Sequence, residues 1–591
     1  MNNHYSIERN TQMLVSLLKE HNIKKIIISP GATNVTFVGS VQNDSFFELY
    51  SCVDERSAAY MACGLAEESG EAVALNCTMA TASRNYMPGL TEAFYRKLPV
   101  LAITSSHPSI RKGHLFPQMI DRSILPNDLV RKSVTIPAIN NKNDSWSWNA
   151  KLNDALLELF RNGGGPVHIN IETQYEKDFS IKELPKERVI KRYYSDSSFP
   201  EIPEGRIAIF IGAHKQINCD YTEKIDSFCK KYNAVVLCDQ TSNYRGKYRV
   251  LANILCDQKQ HYCALKNPDL LIHIGNISGA YMTIAPKEVW RINPDGEIKD
   301  AFQKLTKVFE MEEIKFFNSY YEKNDAIVKE NTYFKEWTEE IDDLRSEIPE
   351  LPFSNLWIAK QTAHLIPQNS VLHLGILNTL RSWNYYETPS CVRCYSNTGG
   401  FGIDGCVSSL IGASLANQKK LYFGIVGDLA FFYDMNAIGN RHVGKNIRLM
   451  VINNGKGQEF RNYNHRAEEF GNEADNFMAA ARHYGNKSLN LIKHYAEDLG
   501  FKYLSASDKT EYLNNLDYFL SKELTDKSIL FEVFTNSENE SKALKLMQHI
   551  KVDTKYLVKD ARNFVKQNAK NFVKEILFEK GISHIKKIIK R

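Results

Sequence analysis

A chain of 591 residues is too long for one hydrophobic core, and 43% apolar with 24% charged residues is the balance of a globular protein, so three domains are expected. The net charge of +5 hides an asymmetry: residues 541–591 carry 14 Lys+Arg against 4 Asp+Glu, a surplus of 10, which leaves about −5 for everything before them. Basic residues interleaved with aromatics occur only in that tail, which argues against a nucleic-acid partner, and apolar runs of strand length fall short of the ~20 residues that a membrane-spanning helix needs.

The opening MNNHYSIERNTQMLVSLLKEH mixes acids and polar residues among its apolar positions and reads as an amphipathic helix, not a signal peptide. Eleven cysteines are scattered, mostly inside apolar runs (Cys63, Cys77, Cys238), as reduced core thiols are, so a cytoplasmic address is expected. The one close pair, Cys391-Val-Arg-Cys394, has no second pair to complete a zinc site and reads as strand packing.

Lys25 to Ser29 predicts a strand, followed by the loop Pro30-Gly31-Ala32-Thr33-Asn34, which ends in helix-capping residues. Phe46 to Val53 predicts a second strand that runs into a helix of small residues, Asp54 to Ala66, with Glu55 at the junction. An acid there can be a simple partner of the helix dipole. Val73 to Cys77, a small-residue turn, a helix from Asn85 to Tyr95 and a strand from Pro99 to Ser105 continue the alternation of an open parallel sheet.

Lys182 to Pro203 is polar and proline-containing and reads as a linker. Arg206 to Gly212, Ala234 to Cys238 and Leu270 to Ile274 predict the strands of a middle α/β domain, expected to be structural because no G-x-G-x-x-G follows any of them. A third domain opens with a helix from Leu356 to Leu365 and a strand from Val371 to Gly375. The loop Ser396-Asn397-Thr398-Gly399-Gly400-Phe401-Gly402-Ile403-Asp404-Gly405 then leads into a helix from Ser408 to Ala416, and such a glycine-rich loop lets the backbone approach a ligand closely. The fold class is α/β, three doubly wound parallel-sheet domains over 1–181, 204–335 and 350–540, with a basic helical extension over 541–591. In that extension Val565, Ala569, Phe572 and Ile576 recur at helical spacing among lysines, a segment suited to a peripheral membrane or protein contact.

Two buried strands, Leu421 to Val426 and Ile447 to Ile452, stop at Gly427-Asp428 and at Asn453-Asn454, with one helix between them. A right-handed crossover sets such strands side by side with their carboxyl ends at one edge, so Asp428 and Asn454 converge. An acid and an amide oxygen beside the turns at Gly427, Gly455 and Gly457 suit a hard divalent cation that bridges to phosphate oxygens, with Gln458, Glu459 and Phe460 lining the site.

This pairing resembles the diphosphate and Mg2+ signature of thiamine-diphosphate enzymes. SPGATN, DERSAAYMACGLA, ALNCTMATASRNYMPGLTEAFYRKLPVLAIT, FPQMID, SNTGGFGIDG and GDLAFFYDMNAI narrow the resemblance to the family of 2-succinyl-5-enolpyruvyl-6-hydroxy-3-cyclohexene-1-carboxylate synthases, usually called MenD, from about residue 10 to residue 535. The resemblance implies thiamine diphosphate with Mg2+ (or Mn2+) as cofactors, decarboxylation of a 2-oxo acid with transfer to an acceptor, and a homodimer or homotetramer in which two subunits build each site. It implies that Glu55 is the acid sharing a proton with N1′ of the aminopyrimidine, a role that needs an apolar wall around the carboxyl group. It also implies that Asp428 and Asn454 are metal ligands with the Lys456 carbonyl, that Gly402, Gly427, Leu429, Gln458 and Phe460 lie along the cofactor, and that Ile403 holds it bent. Gln118 and Arg381 match substrate-contacting positions, and His107 is the one histidine at a substrate-facing place.

Several of the family's cations are absent from the chain. Ala32-Thr33 stands where the family has Ser-Arg, His107 and Thr398 each stand for an arginine, and a Lys-Arg pair falls near Ala280-Tyr281. Losing bidentate carboxylate clamps in a desolvated site would cost roughly a few kcal/mol each. The substrate clamps therefore read as lost, and a donor and acceptor other than 2-oxoglutarate and isochorismate are expected, an activated sugar being one candidate acceptor. The alternatives are the menaquinone enzyme itself with a rebuilt pocket and a non-catalytic cofactor-binding scaffold.

Overall fold

The computed structural model describes residues 4–122, 124–280, 282–322, 330–483 and 487–553. These fall into two compact units, residues 1–200 with 288–312, and residues 201–287 with those from 313 onward.

The first unit holds β1 (Lys25–Ile28), β2 (Glu48–Ser51), β3 (Val73–Cys77), β4 (Val100–Ser106), β5 (Lys132–Ile136) and β6 (Val167–Glu172), a six-stranded parallel sheet of order β2-β1-β3-β4-β6-β5. Its central strands are buried on both faces. Ile26, Ala74, Leu101 and Ile169 pack against Leu14 and Leu17 of the opening helix and Leu152 of the helix Lys142–Leu157. The opposite face, with Ile27, Leu75 and Ala102, meets Ala58, Ala59 and Ala62 of the helix Glu55–Ser69. A strand that is apolar at every position needs a helix on each side, which is the physical content of the doubly wound fold.

In chain order the next strands are β7 (Lys191–Tyr194), β8 (Ile207–Ile211), β9 (Ala234–Cys238), β10 (Arg249–Leu251), β11 (Leu270–Ile274), β12 (Glu288–Ile292) and β13 (Leu305–Glu310). Of these, β12, β13 and β7 lie in the first unit in that order, and β10, β9, β8 and β11 in the second. The segment expected to be a linker thus contains β7, which pairs in parallel with β13. Lys191 and Arg192 masked it, but the Tyr193 ring stacks on Phe309 with centroids 5.1 Å apart.

The second unit also holds β14 (Val371–Leu374), β15 (Arg393–Tyr395), β16 (Tyr422–Gly427), β17 (Ile447–Asn453), β18 (Lys502–Ala506) and β19 (Ile529–Phe534), in the order β15-β14-β16-β17-β19-β18. Counted from its own first strand, each six-stranded sheet reads 2-1-3-4-6-5, so one crossover pattern is used twice. The order reverses between β1 and β3 and again between β14 and β16, and the loops at the carboxyl ends of those strands form the crevices in which such folds hold ligands.

Cys63, Cys77 and Cys238 are buried free thiols, and Cys394 is buried within β15, whereas Cys391 is exposed before the strand begins. Among the described residues no helix is long and apolar enough to cross a membrane. The basic extension is described as far as residue 553. The helical periodicity of Val565, Ala569, Phe572 and Ile576, and with it the contact assigned to the tail, lies outside the described residues.

Candidate active site

In the middle of the third sheet, β16 and β17 run side by side with Gly427 opposite Ile452, and the chain leaves β16 straight into the helix Asp428–Asp434. Asp428 is 4% exposed. One carboxylate oxygen accepts from the Leu429 amide and the other from the Gly455 amide, each at 2.8 Å. Gly455 has φ +80°, the left-handed turn that aims its N–H at the acid. Burial pushes the Asp428 carboxyl up to about 7, because two amide bonds do not replace the water it has lost.

The two neighbouring asparagines have different partners. Asn453 donates to Glu532 at 2.7 Å and is tied into the sheet. Asn454 presents a buried side-chain oxygen with no partner among the described residues. The Lys456 ammonium is held 2.6 Å from Asp475, so its carbonyl is what it could offer a cation. Added side chains at Gly399, Gly400 and Gly427 would meet nothing within 4 Å, so the loop is open there. Ile403 is half-buried against the core of this sheet, and Phe401 carries a positive φ of 55° beside Gly402. The helix Cys406–Leu415 begins after the loop, with the Ser408 amide and hydroxyl both bonded to Asp434.

Arg381, on the helix Asn378–Trp383, donates to Glu459 at 2.6 Å. Gln458 is buried; its amide donates to Asn462 and to the Ser537 carbonyl at 3.1 Å, while its oxygen is unpartnered among the described residues. Phe460 meets His465 edge-on at 5.2 Å.

In the first unit, Glu55 opens its helix after the cap Asp54 and accepts from Asn85 at 3.1 Å. Gly89, on the helix Met87–Arg96, brings that helix against the Glu55 helix: an added Cβ would stand 2.4 Å from the Ala59 Cβ. The apolar wall expected around Glu55 is not formed by the described residues of the chain itself. The carboxyl group is partly solvent-accessible, and Val53, Tyr60 and Met61 beside it are exposed at 77%, 48% and 46%.

His107 packs on Tyr175 with ring centroids 4.8 Å apart and accepts at Nδ1 from Arg111 at 3.2 Å. Burial and then the Arg111 charge lower its pKa. Gln118, at φ 62°, lines a small cavity with Arg122, His168 and Asn170. Arg122 donates to Asn170 at 2.6 Å through one terminal nitrogen and leaves the other buried without a partner among the described residues. Two arginines not singled out in the sequence stand here, Arg111 against the His107 ring and Arg122 on the wall shared with Gln118.

The profile described as "Thiamine pyrophosphate enzyme, N-terminal TPP binding domain" matches residues 9–125. A 2-succinyl-5-enolpyruvyl-6-hydroxy-3-cyclohexene-1-carboxylate synthase of Bacteroides fragilis is 31% identical over 573 residues, spanning 92% of this chain and 99% of the relative. The chain belongs to this synthase family, the MenD family. The enzyme of that name from Bacteroides thetaiotaomicron is 30% identical over 565 residues, again 92% of this chain and 99% of the relative, and that from Porphyromonas gingivalis 28% over 592 residues, 92% and 97%.

As a MenD-family chain it is a thiamine-diphosphate- and Mg2+-dependent enzyme of decarboxylation with carbon–carbon bond formation. The donor set fits those groups. Among the described residues, a buried carboxyl group held by main-chain amides, an amide oxygen without a donor, and open space beside three glycines would each suit a hard cation carrying a diphosphate. The expected pairing of β16 with β17 is formed, and Asp428 accepts from the amide of Gly455, the residue after Asn454. Sequence reasoning did not foresee the Arg381–Glu459 pair, whose signal was the acid directly after Gln458. The Lys-Arg comparison at Ala280-Tyr281 ends at residue 281, which lies outside the described residues.

Proposed function

We propose that this MenD-family enzyme acts on a donor and acceptor other than 2-oxoglutarate and isochorismate, decarboxylating a 2-oxo acid and joining the remaining acyl unit to the acceptor. The observation that carries the reading is the Arg381–Glu459 pair: the cation kept at a substrate-contacting position is neutralised by the chain itself. His107 and Thr398 in place of family arginines support it. Bound thiamine diphosphate supplies the nucleophilic C2 carbon and the electron sink for loss of carbon dioxide.

Asp428, Asn454 and the Lys456 carbonyl would hold the cation, and Gly402, Gly427 and Leu429 would follow the diphosphate. Ile403, braced against the core, and Phe460 would support the cofactor, while Gln458 would line the site. Glu55 would share a proton with N1′ of the aminopyrimidine. A second copy of the chain covers Val53, Tyr60 and Met61 and dries the carboxyl group, which makes the enzyme a homodimer or a dimer of dimers. Gln118 and the unpartnered Arg122 nitrogen meet the donor carboxylate, and His107, whose Nδ1 accepts from Arg111, presents an Nε2–H 3.4 Å from the Tyr175 hydroxyl.

Glu55→Gln should retain the cofactor and lose carbon dioxide release by roughly 10²- to 10⁴-fold. Mass-spectrometric trapping of C2 adducts across a panel of 2-oxo acids names the donor. Robust turnover of 2-oxoglutarate with isochorismate would refute the altered pair. That result would establish a second reading, the menaquinone enzyme with a rebuilt pocket, which the full-length similarity to synthases so named favours.

A further inference from the structure

A cavity of about 410 Å³ opens beside Arg381 and Gln458, within the range of small-molecule sites. The two strong cations on its wall are both occupied by the chain. Arg381 is held 2.6 Å from Glu459, and Lys259 3.0 Å from Asp257. With the Asn378 amide oriented to suit its neighbours, its nitrogen donates to the second Glu459 oxygen at 3.0 Å and its oxygen accepts from the Glu459 amide at 2.8 Å, so the acid is clamped onto the arginine. Glu540 adds a further carboxyl group to the wall, so its acids outnumber its strong cations.

Apart from His465, the remaining polar wall is made of neutral groups, among them Asn462, Asn464, Gln548, Ser382 and Tyr385. Gln458 is 7% exposed, lines the cavity, and carries a buried oxygen with no partner among the described residues, which calls for a ligand O–H or N–H. An anion entering here would face acids and cations already paired, whereas hydroxyl groups would find acceptors at Gln458 and Glu459 and donors at the amides.

We infer that this cavity binds a neutral, polyhydroxylated group of the acceptor, a sugar or cyclitol ring. The inference rests on the altered-substrate reading and names the class of molecule that reading leaves open. Gln458 sets hydroxyl recognition, and Glu459 sets charge selectivity by withholding Arg381 from carboxylates.

The test is titration calorimetry on the full-length protein loaded with Mg2+ and thiamine diphosphate, with methyl α-glucoside and myo-inositol as neutral probes and succinate as the anion. At least one neutral probe should bind tenfold or more tightly than succinate, with an affinity insensitive to salt. Gln458→Leu should weaken that binding at least tenfold. Glu459→Gln should free Arg381 and tighten succinate at least tenfold, in a salt-dependent way. Succinate binding the unsubstituted protein more tightly than both neutral probes, or polyol binding unmoved by Gln458→Leu, overturns the inference. Should Gln458→Leu fail to fold, an unchanged succinate affinity in Glu459→Gln overturns it alone. Carbon dioxide release from the trapped-donor panel reports the catalytic reading separately: polyol binding without turnover sinks that reading and leaves the cavity assignment standing.

Discussion

Glu540 offers a direct measure of how far burial at the third sheet controls stability. It sits on the helix Ser537–Gln548, 7% exposed, and its two oxygens accept from the Asn355 amide at 3.0 and 3.1 Å, where they cap the helix Asn355–Thr362. Burial pushes its carboxyl group from 4.5 up to about 7. Between those values the folded chain binds more protons than the unfolded chain, so this residue makes stability fall as the pH rises. Over that span, at about 1.36 kcal/mol per pH unit, the cost reaches about 3 kcal/mol above pH 7. Glu540→Gln keeps an acceptor for Asn355 and removes the ionisation. Thermal unfolding of the metal-free protein should show the variant gaining on the unsubstituted chain from pH 5 to pH 8, by no more than about 2 °C per kcal/mol for a unit of this size. Mg2+ and thiamine diphosphate should narrow the gap, since the Asp428 charge is part of what raises Glu540. A difference in melting temperature that is constant from pH 5 to pH 8 would refute the reasoning.

Three other measurements bear on the site and its frame. Asn454→Ala should weaken Mg2+-dependent binding of thiamine diphosphate at least tenfold, read by intrinsic fluorescence, with unchanged circular dichroism; Asn453→Ala should instead lower the melting temperature, because it breaks the bond to Glu532. Gly89→Ala should destabilise the first unit by about 1–3 kcal/mol through its contact with Ala59, and a second substitution, Ala59→Gly, should recover part of the loss in urea unfolding. His168, held between Thr104 at 2.9 Å and Ser133 at 2.8 Å, has its pKa lowered to about 3 by burial and by Arg122. Its contribution is complete above pH 6.5 and is lost as the pH falls towards 3, up to about 5 kcal/mol, so His168→Gln should flatten the acid limb of the stability profile.

What the residues determined alone was the repeated alternation of buried strands and helices and the pairing of β16 with β17, which brings Asp428 to the turn at Gly455. Both follow from local rules: an apolar strand needs cover on two faces, and a right-handed crossover returns the next strand to the same edge.

Tertiary structure decided the rest. β7 was hidden because its hold on β13 is main-chain pairing and a Tyr193–Phe309 stack, neither of which shows in a charged four-residue stretch. Which of two adjacent asparagines keeps an unpartnered oxygen among the described residues depended on Glu532, 79 residues further on, claiming Asn453. The charge of the pocket turned on Glu459 folding back 78 residues onto Arg381, and the surroundings of Glu55 on atoms outside its own helix. A pattern along the chain specifies which groups exist; which of them are already paired is settled only when distant segments meet in a site too dry for water to take a partner's place.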